Sequence, residues 1–179
     1  MIIGIEGGLG SGKTLLMVRY LVKDYLKGNQ IFTNIGLKDI DFKFLDLNKV
    51  LDMHKDEFNL NNCSVAIDEI TVFADCRKSS SKMNRLISYF ILQSRKRGVD
   101  IYFTTQNLNL VDFRLINYMD FQVFCEKIYN KNGLEIDDKR KYRIFDLRNI
   151  RKINISSFIL DISKYYRFYD TYEVILPPE

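Results

Sequence analysis

The eight residues Gly7-Gly8-Leu9-Gly10-Ser11-Gly12-Lys13-Thr14 leave this chain fewer options than any other stretch. They spell G-x-x-x-x-G-K-[ST], a loop that wraps a polyphosphate. Its glycines let the backbone turn tightly and bring N–H groups close to an anion, and the following helix start adds its dipole. The amide cradle runs over Gly8, Leu9, Gly10, Ser11, Gly12, Lys13, Thr14 and Leu15. Lys13 would place a charge beside the β- and γ-phosphates, and Thr14 would offer a hydroxyl to Mg²⁺. The flanks agree with this reading. Met1 to Ile5 is a short apolar run suited to a buried parallel strand. Beyond the loop, Leu15, Leu16, Val18, Leu21, Val22 and Leu26 recur at helical spacing, and Gly28 sits where a C-terminal cap belongs. A glycine-rich turn that binds nothing is the alternative. A dinucleotide fingerprint fits worse, because its third glycine would fall at Lys13.

A second stretch, Ser64-Val65-Ala66-Ile67-Asp68-Glu69, is an apolar strand ending in two carboxylates. An aspartate at this place holds the Mg²⁺ shell in P-loop enzymes, and a glutamate beside it can act as general base on a water. A helix-capping pair is the other reading of the two acids. Val99 to Gln106 reads as a further strand with a polar carboxyl end, the end that faces the ligand crevice of an open parallel sheet. Gln106 there could sense the γ-phosphate or orient the water, or could simply be a turn residue. Gln30 to Asn34 reads as another strand, and Asn48 to Asp56 as a short capped helix.

Composition narrows the class. A chain of 179 residues, 46% apolar and 28% charged, is sized for one domain with a real core. A formal charge of +4 tolerates anionic partners. Cys63, Cys76 and Cys125 form no C-x-x-C pair and read as reduced thiols of an intracellular protein. A lone His54 rules out chemistry built on paired histidines. No apolar run approaches the ~18 residues of a membrane span, so the expected location is the cytoplasm.

Basic residues cluster twice. Arg77 to Arg97 holds seven and no acid; Lys139 to Lys152 holds seven against Asp146. Each is either a solvated surface or a contact with nucleic-acid phosphates. Ser79-Ser80-Ser81 suggests a loop, and Leu86, Ile87, Phe90, Ile91 and Ser94 a helix face closed by Gly98. Phe121, Val123 and Cys125 alternate with polar residues ahead of Asn130-Lys131-Asn132-Gly133, a hairpin signal. Tyr142 and Phe145 are expected on an exposed strand pair. Five aromatics between Lys164 and Tyr172 are expected to cover a sheet edge or, on a sharper reading, to stack on bases.

Five features in this order carry a resemblance. They are Gly7 to Thr14; Ile31-Phe32-Thr33-Asn34; Val65 to Glu69; Ser94-Arg95-Lys96-Arg97-Gly98-Val99-Asp100-Ile101; and Thr105-Gln106 followed by Val111-Asp112. Together they resemble the zonular occludens toxin (Zot)-like ATPases, which include the assembly ATPases of filamentous phages, within the FtsK–HerA group of DNA-pumping motors. Tyr169-Asp170-Thr171-Tyr172 is similar to that family's closing motif. The resemblance implies an α/β P-loop NTPase with a mainly parallel central sheet flanked by helices, an additional-strand, RecA/FtsK-like core over residues 1–120, and a C-terminal β-hairpin extension over 121–179. The strand ending at Gln106 would lie between the P-loop strand and the Asp68-Glu69 strand. It also implies ATP and Mg²⁺ as ligands, with the metal at Thr14 and Asp68, and Lys13, Glu69 and Gln106 in catalysis. A ring, typically a hexamer, would supply an arginine in trans; Arg95 and Arg97 are the candidates, with Arg77 and Arg114 behind them.

The phage assembly proteins continue into a membrane-spanning segment, whereas this sequence ends after the nucleotide-binding part. The expectation is therefore a motor for viral DNA packaging, translocation or virion assembly. DNA would be bound through residues 77–97 and 139–152, with virion or capsid proteins as possible further partners. The alternative is a small P-loop kinase transferring phosphate to a small acceptor. A GTPase switch is disfavoured because no Asn-Lys-x-Asp guanine-reading motif is present.

Overall fold

The computed structural model describes residues 1–45, 60–78, 89–148 and 153–170. Eight strands form one sheet: β1 (Ile2–Glu6), β2 (Gln30–Thr33), β3 (Lys43–Phe44), β4 (Cys63–Ile67), β5 (Asp100–Thr105), β6 (Phe121–Tyr129), β7 (Glu135–Asp146) and β8 (Ile153–Asp161). Their order is β3-β2-β4-β5-β1-β6-β7-β8. The first six strands in space, β3 to β6, run parallel; β7 and β8 are added antiparallel. As expected, β5 lies between β1 and β4, so the P-loop strand and the acidic strand flank the strand that leads to Gln106.

The central strands are buried on both faces, which is why they read as unbroken apolar runs rather than alternating ones. Ile3 and Ile5 point to the face covered by α1 (Lys13–Leu26), together with Leu16, Leu21 and Tyr102. Ile2, Val65, Ile67, Ile101 and Phe103 point to the other face, under Phe90, Ile91, Leu115 and Met119. Gly4 lies on that second face, and a Cβ there would meet Met119 Sδ at 2.8 Å and Phe103 Cζ at 2.9 Å. Its small size is a packing requirement.

Helix α1 is amphipathic, and its buried face carries one carboxylate. Asp24 accepts from the hydroxyls of Ser64 (2.9 Å) and Tyr102 (2.6 Å), so the far end of the helix is tied to β4 and β5 by satisfied polar groups. Gly28 follows with φ 90°, the left-handed cap foreseen for it. Residues 89–94 are helical, with Phe90, Ile91 and Ser94 buried, and Gly98 has φ 64°. Asp112 caps the short helix α2 (Phe113–Asn117) by accepting from the Arg114 amide at 3.0 Å.

Beyond β5 the chain returns beside β1, and β6 pairs with it in parallel before the hairpin turns at Asn130 to Gly133. The hairpin therefore continues the main sheet. β3 had no counterpart in the sequence reading. The expected helix over 48–56, the serine loop at 79–81, Lys82, Arg85, Leu86, Ile87, Arg151, Lys152 and Tyr172 lie outside the described residues. The three cysteines are free thiols, Cys63 and Cys125 both buried. Among the described residues no helix is long and apolar enough to cross a membrane.

Candidate functional site

The loop between β1 and α1 is shaped by its glycines. Gly10 has φ 69° and Gly12 φ 85°, left-handed values that other residues adopt at a cost. Gly12 is also hemmed in: a Cβ would lie 2.8 Å from Tyr142 Oη and 2.9 Å from Arg140 Cγ. Helix α1 starts at Lys13, so the orphan amides of its first turn open onto the loop's concave side. The Lys13 ammonium is buried and donates to the Gly8 carbonyl at 3.2 Å, drawn back across the loop. It also lies 3.9 Å from Glu69 Oε1.

Strand β4 delivers Asp68 and Glu69 opposite this loop. The Thr14 hydroxyl donates to the Asp68 carboxylate, 3.0 and 3.1 Å from its two oxygens. The Thr104 hydroxyl, on β5, donates to Asp68 Oδ1 at 2.6 Å and accepts from the Glu69 amide at 2.9 Å. Asn34, just past β2, grips the Asp68 backbone twice: its Oδ1 accepts from the Asp68 amide at 2.8 Å and its Nδ2 donates to the Asp68 carbonyl at 3.1 Å. Helix α1 and strand β5 thus hold the Asp68 carboxylate, and Asn34 fixes its backbone. Glu69 has φ 49° and ψ 57°, a left-handed conformation that costs a non-glycine residue on the order of 1 kcal/mol. Its pinned amide and buried neighbours maintain it, and the side chain is turned toward Lys13. Burial raises the Glu69 carboxyl above its ordinary pKa; Lys13 opposes this and Asp68 adds to it.

The outer side of the loop is gripped by β7. Arg140 Nε donates to the Gly10 carbonyl at 2.9 Å and the Tyr142 hydroxyl to the Gly12 carbonyl at 3.1 Å. These bonds occupy carbonyls on the side away from the amides. Arg140 is 6% exposed; its remaining donors reach the carbonyls of Ile136, Asp137 and Lys139 and the carboxylate of Glu135. Beside the loop lies a cavity of about 300 Å³, bounded on one side by Lys13, Thr14 and Leu15 and on the other by Ile162, Tyr166 and Tyr169.

The structure brings Lys13, Thr14, Asp68 and Glu69 together, as the sequence suggested. Gln106 is exposed, one residue beyond β5. Arg95 and Arg97 lie at the opposite end of that strand, ahead of Asp100; Arg95 donates to Asp120 at 2.9 Å. Within one copy they are a strand's length from Thr14. Arg77 and Arg114 are bonded to Asp75 and Asp112. The basic run 139–152 is not one exposed face. Lys139 and Lys141 are exposed, whereas Arg140, Tyr142 and Asp146 are buried, because strand neighbours point to opposite sides. Three of the late aromatics give the core cover expected of them. Phe168 is buried and packs with Tyr165 and Tyr169 in the cluster around α1. Thr104, Asn34, Arg140 and Tyr142 were not singled out for the site by the sequence reading.

Among the described residues no group of three or more His, Cys, Asp or Glu could hold a metal unaided. The donor set nevertheless suits Mg²⁺, which keeps several waters and takes one or two protein oxygens plus substrate phosphates. Thr14 and Asp68 would be those protein groups.

A parallel sheet with β5 inserted between β1 and β4, a glycine loop feeding α1 and two acids facing it define a P-loop nucleoside-triphosphatase core. The family model described as zonular occludens toxin (Zot) matches residues 1–170, and the chain belongs to that family. Its sequence is 25% identical over 148 residues to the Gene 1 protein of Enterobacteria phage I2-2, covering 72% of this chain and 40% of that relative's length. The fold is similar to that in the crystal structure of the N-terminal domain of zonular occludens toxin from Neisseria meningitidis. There the TM-score is 0.67 at 24% identity, over 94% of this chain and 98% of the other. It is also similar to the genome packaging NTPase B204 of Sulfolobus turreted icosahedral virus 2 in complex with ATP-gammaS. That match has a TM-score of 0.56 at 11% identity, over 88% and 95% of the two chains. At these identities the solved structures speak for the fold.

Proposed function

We propose that this chain is the ATP-hydrolysing part of a viral motor that packages or translocates DNA, or assembles virions, in the host-cell cytoplasm. The observation that carries the reading is the convergence of the Thr14 and Thr104 hydroxyls on Asp68, with Thr104 also holding the Glu69 amide, opposite Lys13 and the loop amides. A nucleotide-free structural fold has no need of a buried lysine and a strained glutamate facing each other.

The chemistry is hydrolysis of the bond between the β- and γ-phosphoryl groups. Amides of Gly8 to Leu15 and the Lys13 ammonium hold the phosphates and stabilise the charge that spreads over them. The Glu69 carboxylate takes a proton from the attacking water as its oxygen bonds to the γ-phosphorus and the bond to the β-phosphate oxygen breaks. Thr14 and Asp68 would hold Mg²⁺, which would supply charge to neutralise the phosphate oxygens. Gln106, at the carboxyl end of β5, orients the water or reads the γ-phosphate. A neighbouring copy in a ring supplies an arginine, with Arg95, Arg97, Arg77 and Arg114 as the candidates. DNA contacts the exposed basic residues of 77–97 and 139–152. Family membership and the packaging role of the similar B204 support this reading.

The test is phosphate release from ATP with and without DNA, alongside the mass in solution. Turnover that requires Lys13 and Glu69 and rises with DNA is expected. A protein that binds ATP but releases no phosphate, alone or with DNA, would overturn the motor.

A further inference from the structure

The cavity reaches from the loop to a wall made by the segment after β8. Ile162 is buried there, Tyr169 is half-buried and Tyr166 is 43% exposed. This wall is fixed in place. Phe168 is buried against α1, its carbonyl accepts from the Lys38 amide at 2.7 Å, and Tyr169 forms a bridge to Leu37. A triphosphate whose γ end lies by Lys13 leaves its α end by Leu15, so the nucleoside must pass along this wall.

We infer that Tyr166 and Tyr169 form the seat of the nucleotide base, and that this seat takes adenine and guanine alike. The inference rests on the proposed nucleotide site and names its substrate class. Discriminating purines requires fixed donors or acceptors aimed at the base edge, because only an unpaired polar group in the site rejects the wrong ring. The wall offers aromatic and aliphatic faces instead. Among the described residues that line the cavity, Arg140 is the one charged group apart from Lys13, and it is taken up by Gly10, three hairpin carbonyls and Glu135. The Tyr166 hydroxyl donates to the Asp137 carbonyl at 3.5 Å, so its proton is engaged and the ring face is what it offers a base. Recognition is by stacking, which every base satisfies.

Calorimetric titration of the full chain with Mg²⁺ and ATP, GTP or inorganic tripolyphosphate tests this. ATP and GTP should bind within about threefold of each other, since no edge contact separates them. Tyr166→Ala should weaken both by about tenfold, the scale of one base–aromatic stack, and leave tripolyphosphate unchanged. Tyr166→Phe, which keeps the ring, should restore both nucleotides. A preference for either purine beyond about thirtyfold would reveal edge reading and overturn the inference. So would unaltered ATP binding in Tyr166→Ala, or equal loss of tripolyphosphate. If the unaltered chain binds neither tripolyphosphate nor nucleotide, the phosphate site itself falls, and the base seat with it.

Discussion

The Thr104 hydroxyl accepts from the Glu69 amide and donates to the Asp68 carboxylate, so a single fully buried oxygen sets the position of both acids. Thr104→Val keeps the shape and removes both bonds, leaving a buried amide and a carboxylate oxygen short of a partner. A loss of about 1–3 kcal/mol in urea unfolding is expected. Because the acids would then shift, phosphate release should fall more than ATP affinity does. Glu69 allows a sharper prediction. Glu69→Gln should retain ATP binding and lower turnover by about 10²–10⁴-fold, the usual worth of a positioned base. Its carboxyl is raised by burial, so the folded state holds that proton more tightly than the unfolded state. Stability contributed by the protonated form is therefore lost as pH rises from the ordinary value of 4.5 through the raised one. The glutamine variant, which cannot lose a proton, should melt higher than the parent at pH 7, and the gap should close below pH 4.5. A gap that persists in acid would mean that something other than ionisation separates the two.

At the scale of elements, β7 shows what a sequence can and cannot disclose. The glycine loop, its lysine and the two acids were legible because their chemistry is local: eight consecutive residues, and an apolar run with an acidic end. The hairpin was legible from alternation and its Asn-Gly turn. Arg140 was misplaced because it was counted with its basic neighbours as one surface. A period of two along 139–146 puts Arg140, Tyr142, Ile144 and Asp146 on one side and Lys139, Lys141 and Arg143 on the other, and the burial follows that division at Arg140, Tyr142 and Asp146. Their partners, Gly10 and Gly12, are 130 positions away in sequence, and no pattern within β7 points to them. Asn34 and Thr104 were hidden for the same reason, since each acts on a strand other than its own. The grip has a consequence for the loop. Tyr142→Phe removes one neutral hydrogen bond and should cost about 1 kcal/mol of stability with little change in affinity. Arg140→Ala strips Gly10 of its partner and leaves Glu135 to Lys127. It should weaken ATP binding about tenfold or more while far-ultraviolet circular dichroism stays that of the parent, as expected when a loop loses its preorganised shape. Arg140→Ala with parental ATP affinity would show that the loop holds its form without the hairpin.

Across the whole molecule, the two basic regions lie at different distances from the chemistry. Lys96 and Arg97 precede β5, and Thr104 is near its other end, so a strand of roughly 3.3 Å per residue separates them from Asp68. Lys139 and Lys141 are exposed on the strand whose opposite face holds Arg140 and Tyr142 against the loop. A phosphate backbone laid on that outer face would press on the same strand that grips the nucleotide. DNA held at Lys96 and Arg97 has no comparably short route to the loop. Both double variants to alanine should therefore bind DNA less tightly. Each should lower the slope of log affinity against log salt by up to about 2, at about 0.9 for every phosphate no longer neutralised. Only Lys139→Ala/Lys141→Ala should also abolish the stimulation of ATP hydrolysis by DNA, with turnover in the absence of DNA unchanged. Anisotropy titrations at several salt concentrations, read beside phosphate release, separate the two effects. If stimulation disappears instead with Lys96→Ala/Arg97→Ala and survives in the β7 pair, the DNA path runs along the amino-terminal edge of the sheet, and coupling must pass through β5 and Thr104 rather than through the hairpin.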